Sequence, residues 1–492
     1  MGFVISLRIA AVALAASVSA CAVGPDFKRP APPAGTGYGS APSQGETSSV
    51  EGTAGETQRF VAGMDVPAEW WTLFQSPALS RLVEAALKGN PNVDSAKAAL
   101  RQAHELYIAQ RASYFPTIQG GFSADRSEYA TNSISNPTVS PSSIYSLYTA
   151  QLNLSYSPDV FGGTRRLVEA AKAQEDNSRY QLEATYLTLS SNVVVTAVQE
   201  ASLRGQIAAT ERLLELQHQL TESVRGQQAL GTASELDLLT QQSAEAQTAA
   251  GLPPLQKQVG QARDALTALL GRLPSEEPEE SFNLDELTLP RDLPVSLPSQ
   301  LVAQRPDVRA AEENLHAASA QAGVALANML PQFTIDGDIG SAALKLGQLF
   351  TPGNGFWDVG ASLTQTLFDA GALLHKRRAA DAALDEAGAQ YRAAVILACQ
   401  NVADTLRALK ADADALKASA EADRAARVTL DLARAQYQLG AISLVAVLNS
   451  EQTYQQAQLA MVQAQANRYS DTAGLFQALG GGWWNRPPGS LR

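Results

Sequence analysis

Few residues of this sequence are of the kind that do chemistry, and those few are scattered. His104, His218, His316 and His375 stand singly, none at the spacing of a metal-ligand set. Beyond Met1 only Met64, Met329 and Met461 occur, too few for a thioether track that would carry copper(I). No phosphate loop, nucleophile elbow or dinucleotide fingerprint is present. The sequence therefore predicts a protein that is not an enzyme and takes no cofactor or metal. Of the two cysteines, Cys399 lies among Ala393, Val395, Ile396 and Leu397, where a free thiol acts as a small apolar packing group.

The other cysteine has a more specific setting. Arg8 precedes an apolar run from Ile9 to Val18 that closes on Ser19 and Ala20, directly before Cys21. Such a run is shorter than the roughly 20 residues a membrane-spanning helix needs, so it reads as an export signal over residues 1–20. Val18-Ser19-Ala20-Cys21 resembles a bacterial lipobox, in which Cys21 becomes the acylated first residue. Two or more acyl chains anchor a protein stably, whereas one does not. With Cys21 carrying lipid, no intramolecular disulfide is available.

The elements that would position anything are long helices. Only 6% of the 492 residues are aromatic and 17% are charged, while Ala, Gln and Leu recur throughout. That composition suits close-packed helices rather than one large globular core. The net charge of -12 and the lack of a basic cluster exclude nucleic acid as a partner. Pro30 to Thr57 are rich in Pro, Gly, Ser and Thr and read as a tether, within an anchored N-terminal region over residues 21–66.

Beyond the tether the chain repeats itself. Asn90-Pro91-Asn92-Val93 aligns with Arg305-Pro306-Asp307-Val308 and pairs Ala96 with Ala311, Leu100 with Leu315, Ala103 with Ala318 and Pro116 with Pro331, without a gap. Leu230-Gly231 pairs with Leu439-Gly440 and Ser234 with Ser443 after small shifts. Residues 67–290 and 291–479 are thus two copies of one unit, followed by a tail over 480–492, and each copy reads helix, strand, strand, long helix, turn, helix. The long helices run from about Thr164 to Ala229 and from Ala370 to Leu439 without a proline. Each would extend about 100 Å at 1.5 Å per residue. Gly231 and Gly440 suit the residue that ends them, and Ser234 and Ser443 suit the cap of the returning helix.

The strands alternate with period two. Tyr148, Ala150, Leu152, Leu154 and Tyr156 interleave with Thr149, Gln151, Asn153 and Ser155. The pattern recurs at Phe333, Ile335 and Ile339 against Thr334, Asp336 and Asp338, and at Trp357, Val359, Ala361 and Leu363 against Asp358, Ser362 and Thr364. A soluble sandwich would turn the apolar face inward. The lengths also match the roughly 10 residues of a tilted membrane strand, joined by polar loops over Asp125 to Ser146 and Ser341 to Gly355. Two hairpins cannot close a pore alone, and open edges are not tolerated in lipid, so a membrane pore would need several chains, three giving about twelve strands.

The residues resemble the TolC-like outer membrane efflux proteins, in the lipoprotein (NodT-type) subgroup that serves resistance-nodulation-division pumps. The resemblance rests on Cys21 with Val23-Gly24-Pro25-Asp26-Phe27 and Arg29-Pro30, on Trp70-Trp71-Thr72-Leu73-Phe74, and on Asn90-Pro91. It continues through Pro253-Pro254-Leu255, Leu270-Gly271, Arg305-Pro306-Asp307-Val308-Arg309 and Leu479-Gly480-Gly481-Gly482-Trp483. It implies an α+β membrane protein, internally duplicated: a homotrimer whose four strands per chain close a transmembrane β-barrel above a long α-helical periplasmic barrel. Its partners would be outer-membrane lipid, a periplasmic adaptor and an inner-membrane pump. Thr149, Gln151, Asn153, Asp336, Asp338, Asp358 and Thr364 would line the pore.

The resemblance further implies a gate at the periplasmic turns, where Gly231, Asp237, Tyr437 and Gly440 match or stand in for the family's tip residues. Where some members carry an Arg and two Asp, this chain has Ile442, Ala446 and Asn449, so that form of salt-bridge lock is not expected. Asp237 could supply a carboxylate ring at the pore or complete a capping box with Ser234, and the two roles can coexist. The other readings are a pore-less lipid-anchored periplasmic scaffold or adaptor and a protein-secretion duct of the same fold.

Overall fold

A computed structural model describes residues 22–35, 37–39, 45–128 and 144–487. In chain order the described elements are strand β1 (Arg59–Ala62), helices α1 (Pro77–Gly89) and α2 (Pro91–Arg111), strands β2 (Thr117–Glu128) and β3 (Ile144–Tyr156), and helices α3 (Gly163–Ala229), α4 (Glu235–Ala250) and α5 (Leu252–Leu269). There follow β4 (Asp292–Val295), α6 (Pro298–Gln304), α7 (Pro306–Ala327), β5 (Gln332–Ala343), β6 (Gly355–Thr364), α8 (Ala372–Gln438) and α9 (Leu444–Ala478). The duplicated order read from the sequence is present, and α3 and α8 are each 67 residues long. The first returning helix is broken where the second is not: Gly251-Leu252-Pro253-Pro254 interrupts it, because a proline cannot donate the helical hydrogen bond.

The chain forms two compact units. Of the described residues, the first comprises 22–29, 101–128, 144–177 and 312–390. Its centre is an antiparallel sheet in the order β2-β3-β5-β6. The pairing extends to Glu128 opposite Ile144, so the strands take up both ends of the loop expected over Asp125 to Ser146; residues 129–143 lie outside those described. The leading segment is held on this unit. The Val23 amide donates to the Phe161 carbonyl at 3.0 Å, Arg166 pairs with Asp26 at 2.5 Å, and Phe27 stacks on His316 with 4.3 Å between ring centroids.

Of the described residues, the second unit comprises 30–35, 37–39, 45–100, 178–311 and 391–487. Its core is built on Trp70, which stacks on Phe476 at 5.5 Å and meets Phe74 edge-on. Tyr469 lies beside Phe74 and donates its hydroxyl to the Leu287 carbonyl at 2.7 Å. Gly482 has a left-handed backbone, and a Cβ there would sit 2.4 Å from the Val66 and Pro67 carbonyls.

The expectation that Pro30 to Thr57 form a tether burying little surface does not hold over its later part. Thr47, Ala54 and Gln58 are buried, and β1 pairs in parallel with β4. The cause is Arg468 of α9, itself 1% exposed, whose guanidinium donates to the carbonyls of Ala54 and Glu56 and to the side chains of Thr47 and Gln58. Gln58 in turn donates to the Pro290 carbonyl and to Thr472.

Candidate pore face and closing turns

The sheet register decides which side chains share a face. Across β3 and β5, Thr149 stands opposite Ala342, Gln151 opposite Gly340, Asn153 opposite Asp338 and Ser155 opposite Asp336. Across β5 and β6, Asp338 stands opposite Asp358, Asp336 opposite Gly360 and Gln332 opposite Thr364. Since opposed residues point to one side, Thr149, Gln151, Asn153, Asp336, Asp338, Asp358 and Thr364 all lie on a single face. The other face carries Ile118 and Phe122 of β2, Leu152 and Leu154 of β3, Ile335 and Ile339 of β5, and Trp357, Val359 and Leu363 of β6. Trp357 is 76% exposed in the single chain.

Two features of the polar face bear on its surroundings. Asp338 and Asp358 are directly opposed, and like charges across a ladder destabilise it unless water screens them. Ser155 donates its hydroxyl to Asp336 at 2.9 Å, a short polar contact of the kind a hydrated surface makes. The edges of β2 and β6 have no partner strand among the described residues.

In the second unit the two long helices end in matching turns. Gly231 and Gly440 both have left-handed backbones, with φ of 75° and 72°. At the first turn the Thr232 amide bonds back to the Gln227 carbonyl; at the second the Ala441 amide bonds to Gln436, each at 2.9 Å. These six-residue closures satisfy the last helical carbonyls. The restart differs between copies. Ser234 and Asp237 form a complete capping box, and these bonds hold the Asp237 carboxyl below its usual range. Ser443 has the extended backbone of a cap but makes no side-chain bond, contrary to expectation, and Ala446 three residues on has no side chain to return one.

Tyr437 links the two hairpins, its hydroxyl donating to Gln227 Oε1 at 3.3 Å. Burial, and then the charge of Asp237, push the Tyr437 phenol above its usual range. The turns thus bring Gly231, Asp237, Tyr437 and Gly440 into one compact unit, without a direct bond between Tyr437 and Asp237 among the described contacts. Near them is a group that sequence reasoning missed: Glu451 of α9, bonded to Arg434 of α8 and to Gln217 of α3. A signal was present, since Glu451 falls on the same helical stripe as Val447 and Tyr454, both buried.

A family model described as outer membrane efflux protein matches residues 82–272 and 297–481, once for each copy of the duplication. The chain belongs to the outer membrane efflux protein family. It is 30% identical over 435 residues to the pyoverdine export outer membrane protein OpmQ of Pseudomonas aeruginosa, covering 86% of this chain and 89% of that one. To the toluene efflux pump outer membrane protein TtgC of Pseudomonas putida it is 27% identical over 467 residues, covering 95% and 93%. Among solved structures it resembles the outer-membrane channel OprN, with a TM-score of 0.83, 27% identity, and 94% and 100% of the two chains covered. It is therefore an efflux channel of the outer membrane that reaches into the periplasm, with the helical-barrel and β-domain fold of its neighbours.

The efflux-family motifs read from the sequence take up structural posts. Asn90 caps α2 by accepting from the Asn92 amide at 2.8 Å and donates to the Leu269 carbonyl. Arg305 pairs with Asp307 at 2.6 Å and donates to the Ala478 carbonyl. The histidines are spread as the sequence placed them: His104 bonds Glu175, His218 bonds Glu245, and His316 lies between Glu169 and Glu313. Among the described residues no helix is long and apolar enough to cross a membrane, which says nothing of a β-barrel. Cys21 lies outside the described residues. Its neighbours from Ala22 to Arg29 belong to the unit that holds the sheet.

Proposed function

We propose that this chain forms, as a homotrimer, the exit duct of a tripartite efflux assembly that takes small molecules from a periplasmic adaptor and an inner-membrane resistance-nodulation-division pump. One observation carries the reading: a four-stranded sheet with one apolar face, one polar, acidic face and, among the described residues, no partner strand at either edge. Lipid accepts the apolar face only if the edges are closed, and further copies of the same sheet close them without new elements. The opposite face then lines a water-filled lumen with Thr149, Gln151, Asn153, Asp336, Asp338, Asp358 and Thr364.

Acylated Cys21 anchors the segment that docks beside the sheet, so that lipid chains and strands meet the same leaflet. The duct does no chemistry and takes its energy from the pump. Its relatives named for pyoverdine and for toluene differ widely in cargo, which supports a lumen that sorts little and a pump that selects. The turns around Gly231, Asp237, Tyr437 and Gly440 form the periplasmic gate. Cross-linking in intact cells, capture and mass spectrometry test the assembly. The expected product is a proton-driven pump with its adaptor; recovery of an ATP-driven protein exporter instead overturns small-molecule efflux and makes this a secretion duct.

A further inference from the structure

The adjacent residues Trp70 and Trp71 have different surroundings. Trp70 stacks within the aromatic core, whereas Trp71 lines a cleft of about 750 Å³ in the second unit, together with Tyr186 of α3 and Lys97 of α2. Trp71 is 5% exposed and Tyr186 2%, yet the indole Nε1 and the phenol hydroxyl have no hydrogen-bond partner in the chain. Buried polar atoms are nearly always paired, because an unpaired one costs stability. At position 186 a phenylalanine would fill the same space without that cost, so two unpaired groups lining one cleft point to something that enters it.

The lining side chains sort by depth. Lys97 is half-buried and has no ion-pair partner among the described residues. Arg486, also half-buried, lies over the Tyr186 ring with 5.1 Å to its centroid, and Glu183 meets its charge at 2.7 Å. The two carboxylates of the lining, Glu69 and Glu84, are exposed, as is Lys88. The inner groups therefore offer hydrogen-bond donors and one unmatched positive charge, behind a mixed and hydrated rim. Donors beside a single free cation suit an acceptor that carries one negative charge. A second negative charge would meet Glu69 and Glu84, which disfavours a phosphate dianion. Pro67, Ala68 and Leu87 supply apolar wall for a compact hydrocarbon body.

We propose that this cleft binds a small monocarboxylate with an apolar body, whose carboxylate accepts from Trp71 Nε1 and the Tyr186 hydroxyl and faces the Lys97 ammonium. None of these residues belongs to the pore lining or the gate, so the site stands whether or not the chain conducts.

The test is titration calorimetry of the full-length protein in detergent, with benzoate as the probe and benzamide as its neutral counterpart, and with thermal melting of the same samples. Saturable binding of benzoate at one per chain is expected, with benzamide at least about tenfold weaker. Tyr186→Phe keeps the ring and removes the hydroxyl. It should weaken benzoate about tenfold and leave the melting temperature of the unliganded protein unchanged or raised. Lys97→Met keeps most of the stem and removes the charge; it should weaken benzoate by a similar factor, and it serves if Tyr186→Phe does not assemble. Absence of saturable benzoate binding overturns the site. Binding that both variants leave unchanged puts benzoate elsewhere on the chain and overturns it too, and benzamide binding as tightly as benzoate removes the carboxylate. A lowered melting temperature for unliganded Tyr186→Phe gives the hydroxyl a structural role and also overturns the proposal.

Discussion

The joint around Trp70 and the turns around Gly231 and Gly440 belong to the same unit and are held together by different means. The joint is apolar and tight: Trp70, Phe74 and Phe476 are at most 1% exposed, and Gly482 leaves no room for a side chain. The turns are open and polar, with Leu230 and Leu439 more than 80% exposed and a handful of hydrogen bonds defining the geometry. Tight packing admits one arrangement, whereas a few polar bonds can be exchanged at modest cost. The joint therefore admits one arrangement, while the turns are held by bonds that can be exchanged.

That contrast is breakable by substitution. The largest effect should fall on the joint: Trp70→Ala removes its central aromatic and should cost about 3–5 kcal/mol, seen as loss of assembled trimer from the membrane. Any trimer that does assemble should gate as the wild type does. Gated current altered in that residual trimer would show that the joint and the turns are not separable.

Next comes a dependence on pH within the joint-bearing helices. The Asp412 carboxyl, half-buried and facing Asp471, is pushed up to about 7 by burial and by that second carboxyl, with Arg468 opposing. The folded chain then holds a proton that the unfolded chain releases near pH 4. Stability should be greatest below that pH and decline as pH rises toward 7. Asp412→Asn should flatten the decline in melting temperature across this range, and an unchanged slope would remove the pair from the account.

The smallest effects compare the two turns with each other. Nothing surrounds a Cβ built at Gly231 or Gly440, so alanine at either meets only the left-handed backbone penalty, about 1 kcal/mol. The two losses should match. Ser234→Ala and Ser443→Ala should not: the first breaks a capping box and costs about 1 kcal/mol, and the second removes no cap bond and should cost almost nothing. Melting of the trimers reads all four variants, and equal losses for the two serines would contradict the asymmetry of the turns.

Much of this architecture is legible in the sequence, and the reasons are local. Alternation at Tyr148 to Tyr156 already separates the two faces, and the register merely aligns neighbouring strands on them. The family motifs are legible because they are joints: Asn90 and Arg305 bond specific backbone groups, and Gly482 sits where a side chain would meet the Val66 and Pro67 carbonyls. The docking of residues 45–58 was not legible, since Arg468 grips backbone carbonyls, which every residue possesses. Glu451 escaped for a similar reason. Its partner Gln217 lies on another hairpin, and no local pattern pairs a glutamine with a glutamate so far along the chain.

The central claim is that the acidic face of the sheet lines a water-filled pore. The most direct measurement is the reversal potential of the purified trimer in a planar bilayer under a salt gradient, for the wild type and for Asp338→Asn with Asp358→Asn. The account predicts discrete conducting events with a preference for cations that the paired substitution weakens. Trimer that inserts and conducts with the same ion preference after both substitutions, or that never conducts, would contradict it.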